Sequence, residues 1–253
     1  MRPTQTHVLS SILSFFQLTA GIVVHAVTHL DALKRRSVMS ITHKQIYFTG
    51  IQALLPVSFA AMLVGFTMET QMRGLLGSGI EINVKMLKLV VLREFAPLFT
   101  AFIVLGRSGA AIASELAAMK VQGEIRSLYL MGIDPGEYLI VPRVVACSVA
   151  VPVLTFYFQV IVAGFGPALA SMLVEIELGP YYQAIFNSIT LTELIMSTSK
   201  NVCFGLIIAA TACSSGIYVP TSRIWIPQAA ELAVMRGFIL LLTGDACFAL
   251  LMI

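Results

Sequence analysis

The chain is 253 residues long, 58% hydrophobic and only 11% charged, with a formal net charge of +3 and a mean hydropathy of +0.89. Soluble domains run at about 45–50% apolar and about 25% charged, so this composition cannot coat a water-soluble globule. It also excludes a disordered chain, a nucleic-acid binder and a secreted disulfide scaffold, and leaves an all-α, multi-pass membrane protein.

The N-terminal stretch His7–Leu30 is uncharged but rich in Ser, Thr, Gln and His. It reads as an amphipathic helix lying in the membrane interface, with a sixth span as the alternative. It lacks the compact apolar core and A-x-A-like site of a cleavable signal peptide. Five later stretches are long and apolar enough to cross a hydrocarbon core about 30 Å thick: Ile46–Met68, Leu89–Ala113, Val144–Val174, Asn201–Val219 and Gly237–Ile253. The third is longer than one crossing needs. Gly164, Gly166 and Pro167 are expected to break it, leaving a span near 144–165 and a further segment on the outer side. Pro56 and Pro152 predict kinks.

With five spans and a cytoplasmic N-terminus, ten Lys and Arg fall on inside segments, among them Lys34, Arg35 and Arg36. Five fall outside (Arg73, Lys85, Lys88, Arg93 and Lys200), and Arg107 lies within a span. This asymmetry predicts the N-terminus inside. The C-terminus then falls outside at the end of the last helix, and the chain is expected to form a single domain over 1–253. Residues 1–45 form its interfacial helix and basic linker, and 46–253 its spans.

No P-loop, G-x-S-x-G, H-E-x-x-H or C-x-x-C occurs, so neither ATP binding by a Walker loop nor catalysis has a motif to stand on. Cys147, Cys203, Cys213 and Cys247 lie in or beside apolar spans and read as small hydrophobes. His25 and His29 are spaced to share a helix face, but Asp31 is the sole further ligand nearby, so no metal site is expected.

Twelve of the chain's 29 charges fall between Lys85 and Arg143. Within that block Gly106, Ala110 and Ser114 are four apart, with Gly109 and Ala113 beside them. Small residues at this spacing let helices approach closely in lipid, either within one chain or across a dimer seam. Ala61 and Gly65 repeat the pattern in the first span. Next comes the loop 115–143. The spacing of Met119, Ile125, Leu128 and Met131 predicts a short amphipathic helix, with Gly132 as its cap and Asp134-Pro135-Gly136 as a turn. A helix held between two spans on the cytoplasmic side has the geometry for docking in a groove of another subunit.

The segment REFAPLFTAFIVLGRSGAAIASELAAMKVQGEIRSLYLMGIDPGEYLIVPRVVA, Arg93–Ala146, strongly resembles the MlaE (YrbE-like) family of ABC-transporter permeases, and looser similarity extends over most of the chain. The resemblance implies a homodimeric permease seated on two cytoplasmic ATPase subunits that hold the ATP and Mg. An MCE-type lipid-binding protein on the far side, and a small STAS-type subunit, complete the expected partners. The cargo would be phospholipid or a related lipid, moved between the inner and outer membranes of a bacterium. The loop would be the coupling helix, with Glu115, Lys120, Glu124, Arg126, Met131, Gly132, Asp134 and Pro135 facing the ATPase. Arg93, Glu94 and Pro97 would lie near the lipid cavity, lined also by Leu54, Leu55, Val57, Phe59 and Leu63. Two departures concern partner choice. Gln122–Leu128 replaces the family's T-E-Q-I-D-A-L, putting Arg126 where an acid is usual, and Tyr218–Gln228 replaces a glycine-rich turn.

Asp245, read as lying midway along the last span, needs a partner or a wet cavity. Arg107 is one candidate, although it could also snorkel to the interface. Arg93 could meet a lipid phosphate or simply pair with Glu94. Other functions consistent with the composition are a self-contained secondary transporter or channel and a non-transporting scaffold. The lipid species stays open, a hopanoid or sterol included, as does the direction of transport.

Overall fold

A computed structural model describes residues 19–24, 26, 28–29, 35–76, 79–172 and 178–251. Most of the expected interfacial helix, His25 and Lys34 lie outside the described residues. Of that stretch, 19–24 are helical and Ile22 packs into the main core.

The described residues contain helices and turns and no strand. We number them α1 (Arg36–Thr49), α2 (Leu54–Leu76), α3 (Ile80–Val121), α4 (Glu124–Leu130), α5 (Gly136–Ala170), α6 (Leu178–Ser188), α7 (Leu191–Ile217) and α8 (Trp225–Leu251). Five helical stretches are long and apolar enough to cross a membrane: 36–75, α3, α5, α7 and α8. α5 is the hub, with α1, α2 and α7 packed against it, while α8 closes on α7 and α3.

Each span is longer than its hydropathy indicates, because helices run past the hydrocarbon edge where polar residues meet water. In the first, a short 3₁₀ turn over Ile51–Ala53, just after Gly50, joins α1 to α2. Pro56 then falls in the first turn of α2, where its missing N–H costs nothing. Gly164, Gly166 and Pro167 do not break the third span, and α5 continues through them to Ala170. The physical reason lies on a neighbour. A Cβ on Gly166 would stand 3.1 Å from the Gly65 carbonyl oxygen, and one on Gly65 would stand 3.2 Å from the Gly166 Cα. These glycines bring α2 and α5 into backbone contact, as small residues do in lipid.

The loop 115–143 is likewise corrected. Glu115–Val121 belong to α3, and the separate helix is only α4. Left-handed glycines bound it, Gly123 at φ +80° and Gly132 at φ +74°. At Gly132 the Ile133 N–H bonds the Leu128 carbonyl and the Gly132 N–H bonds that of Tyr129, both at 3.0 Å, a Schellman closure. Asp134 Oδ1 accepts the Gly136 N–H at 2.8 Å and, with Pro135 behind it, starts α5. Both connections are therefore fixed in geometry.

Candidate functional site

The charges sort into two layers separated by the thickness of a bilayer. From Glu94 to Glu115 is 21 residues of nearly continuous helix, about 32 Å at 1.5 Å per residue, which matches a hydrocarbon core.

One layer holds a buried ionic cluster. Lys200 is counted among outside loop residues by hydropathy, but it sits in the third turn of α7 with its side chain 3% exposed. Its Nζ lies 2.8 Å from Glu94 Oε2 on α3 and 2.6 Å from Asp245 Oδ1 on α8. The contact with Asp245 has angles outside those of a hydrogen bond, so it is ionic. Arg107 is thus not the partner of Asp245, and Asp245 lies in the C-terminal third of α8 rather than midway, because α8 begins at Trp225. Arg93 Nε stands 3.5 Å from Glu94 Oε1, so Glu94 is shared between two cations. Both residues lie in a wide π-helical stretch, Leu87–Phe95, and such distortions gather at functional sites. Gln159 of α5 donates to the Leu92 carbonyl there at 2.8 Å.

Beyond this layer a second cluster escaped sequence reasoning. Glu69 and Arg73 of α2 pair at 2.9 Å, and Tyr181 of α6 donates its hydroxyl to Glu69 Oε2 at 2.7 Å. Arg73 lies 5.5 Å from the Tyr181 ring centroid. Burial, and then the bond to Glu69, push the Tyr181 phenol well above its ordinary pKa, which keeps it a donor. The i, i+4 spacing of Glu69 and Arg73 is visible in sequence, but their burial under α6 is not. Tyr181→Phe leaves a buried carboxylate oxygen short of a donor. It is expected to cost about 1–3 kcal/mol, read as a lower melting temperature in detergent.

Of the apolar cavity candidates, Leu55, Phe59 and Leu63 form an exposed row on α2, continued by Ile51. Leu54 is half-buried. Val57 and Pro97 are buried within the protomer and do not reach that surface.

The opposite layer carries the coupling candidates. Glu115 Oε2 pairs with buried Arg143 at 2.9 Å, and Lys120 Nζ caps the Ile217 carbonyl at the end of α7 at 2.6 Å. Both serve the protomer itself. Glu124, Arg126, Met131, Gly132 and Asp134 are exposed, and Pro135 is buried. Around them Tyr129, Leu130, Met131 and Ile133 turn apolar side chains outward, Leu130 being 80% exposed. A cavity of about 340 Å³ lies beneath, bounded by Ile22, Ile125, Tyr129, Leu139 and Tyr218. Among the described residues no group of three His, Cys, Asp or Glu could hold a metal. Cys147 and Cys213 are buried, Cys203 is half-buried and Cys247 is exposed.

Residues 42–251 match the Permease MlaE family. The chain belongs to the MlaE permease family. Similar proteins include a "Probable ABC transporter permease protein" of Synechocystis, 28% identical over 94% of this chain and 91% of its own. One of Rickettsia typhi is 30% identical over 82% and 81%, and one of Porphyra purpurea 26% over 79% and 76%. Within an MlaE permease the departures noted in sequence acquire positions. Gly123 takes the left-handed turn that ends α3, a conformation other residues resist. Arg126 points outward on α4. The 218–228 segment forms the turn into α8, where Tyr218 faces Ile125 and Tyr129 across the cavity beneath α4.

Proposed function

We propose that this chain is the membrane subunit of an ABC transporter that moves phospholipids or related lipids between the inner and outer membranes, powered by a separate ATPase. One observation carries the reading. α4 projects beyond the spans as a capped helix whose C-terminal end exposes Tyr129, Leu130 and the adjoining Met131, with Glu124 and Arg126 exposed beside them. An exposed cluster of that kind on a membrane protein's aqueous face fits insertion into a groove of a soluble partner. In this reading the α4 face is cytoplasmic, ATP and Mg reside on the ATPase, and two copies of the chain enclose an outward-opening cavity. Arg93 and the exposed row of α2 line that cavity, where an MCE-type protein receives the lipid. Inner-membrane location, the homodimer and a STAS-type subunit belong to the same reading.

The test is co-purification with the ATPase from native membranes. Leu130→Asp and Met131→Asp, which touch nothing inside the protomer's core, are expected to reduce the recovered ATPase at least several-fold while the permease stays folded. Undiminished recovery refutes α4 as the contact. The buried charges around Lys200 would also suit a self-contained, ion-coupled transporter. Lipid or solute movement by the purified chain without an ATPase would establish that instead.

A further inference from the structure

Three cations buried in the described spans face a carboxylate. Arg73, Arg143 and Lys200 each lie within 2.9 Å of an acidic oxygen. Arg107, by contrast, has no carboxylate within reach among the described residues. Its Nη1 donates to the Phe48 carbonyl at 2.9 Å and its Nη2 to Gln52 Oε1 at 2.6 Å. Both acceptors flank Gly50, at the 3₁₀ turn that joins α1 to α2. A guanidinium has five donors, so three remain, with the full positive charge, in a region where an uncompensated charge costs several kcal/mol.

Arg107 lines a groove of about 510 Å³ between α1 and α3. The walls are unusually polar for a span, with Gln45, Thr49, Gln52, Ser108 and Glu115 among them. The Ser108 hydroxyl is buried and has no hydrogen-bond partner. Glu115, at the groove's inner end, is neutralised by Arg143. Eight residues of helix separate Glu115 from Arg107, about 12 Å, so the polar lining climbs from the membrane boundary well into the inner leaflet. Phe48, Ala111 and Ile112 supply apolar surface beside it.

We propose that this groove binds the phosphate headgroup of an inner-leaflet lipid, with Arg107 as its cation and Ser108 and Gln52 as hydrogen-bonding partners. Guanidinium and phosphate match in geometry as well as charge. The acyl chains stay in the bilayer alongside Phe48 and Ile112. A phosphate at Arg107 has left the headgroup plane, so the groove is a route by which a headgroup enters or leaves the hydrocarbon on the α4 side. The site is separate from the Arg93 region in the opposite layer. It rests on the lipid-permease reading only for the direction of travel, not for binding.

The test uses the full chain with a benzophenone amino acid at Ala111, an exposed position on the groove wall, reconstituted in vesicles of dioleoyl phosphatidylglycerol. Illumination is expected to join the lipid to the protein. Arg107→Gln should lower the yield about ten-fold, as loss of a charge-assisted hydrogen bond implies, Ser108→Ala several-fold, and Arg107→Lys least. Replacing a fifth of the lipid with dioleoylglycerol, which has no phosphate, should give no glycerolipid adduct of its own. Equal labelling by both lipids, or a yield indifferent to Arg107→Gln, overturns the proposal. So does a cross-linked pair of protein chains as the main product, which would make a second copy the occupant. Should Arg107→Gln fail to fold, the Ser108→Ala and Arg107→Lys yields decide. Lipid capture with no ATPase association, or the reverse, separates this inference from the proposed function.

Discussion

Replacing Lys200 with methionine is expected to destabilise the folded chain by about 3–5 kcal/mol, the usual result of removing one partner from a buried ionic group. Lys200 is the common cation of Glu94 and Asp245, and its loss leaves two carboxylates facing each other across the junction of α3, α7 and α8. Glu94 is about a third exposed and regains some hydration, whereas Asp245 is 17% exposed and regains less. Thermal unfolding in detergent is the measurement, together with folded yield. The triple variant Lys200→Met, Glu94→Gln, Asp245→Asn removes these three charges together, leaves only the more exposed Arg93 and should recover most of the loss, because neutral groups carry no comparable desolvation cost. Asp245→Asn alone leaves Lys200 with Glu94 and should cost less than Lys200→Met. A Lys200→Met protein that melts with the wild type would show that the cluster contributes nothing to stability. A triple variant that is stable but inactive would instead assign the cluster to transport, since it ties three spans together beside the proposed lipid cavity.

Hydropathy located all five spans because the cost of placing backbone and polar side chains in lipid is local to each segment. The short motif around Gly132 and Asp134-Pro135 was legible for the same reason: a Schellman closure and an N-cap are satisfied within a few residues of their own chain. What failed were features whose cause lies on another helix. Gly164, Gly166 and Pro167 look like a helix break until Gly65 is seen against Gly166. Lys200 looks like a loop residue because it abuts the apolar run, and only Glu94 and Asp245, 106 and 45 positions away, allow α7 to carry it inside. Pairing Asp245 with Arg107 paired two orphan charges by elimination. Their depths differ, and Arg107 spends two of its donors on Phe48 and Gln52. Glu115 and Lys120, expected to face the ATPase, also hold the ends of α5 and α7 within the chain, a role set by Arg143 and Ile217 far along the sequence. Tyr181 gave no signal at all, since the polar burial that defines its role is visible only once α6 folds over α2.

The same substitution at two glycines should separate contacts within the chain from contacts between chains. A Cβ at Gly205 would lie 2.6 Å from the Cys147 carbonyl oxygen and 2.8 Å from the Ser148 Cα. Those are backbone atoms of α5, so nothing can rotate aside and α7 must move away. Gly205→Ala is therefore expected to cost about 3 kcal/mol, at the upper end of overpacking effects, and Gly205→Val more. The displacement begins little more than one turn from Lys200 and should also loosen that residue's hold on Glu94 and Asp245, so the two losses should be less than additive when combined with Lys200→Met. At Gly106 an added Cβ meets nothing within 4 Å in the protomer. Alanine there should be neutral or gain up to about 1 kcal/mol from helix propensity alone. Gly106 shares its small-residue row with Ala110 and Ser114, both only half-buried, so that face is open to a neighbour. If Gly106→Ala leaves the melting temperature intact but shifts the protein from dimer to monomer on sedimentation, the row is a seam between copies. If the proposed dimer is unchanged, the role of small residues is confined to contacts inside one chain, such as those of Gly65, Gly166, Gly109, Gly205 and Gly216.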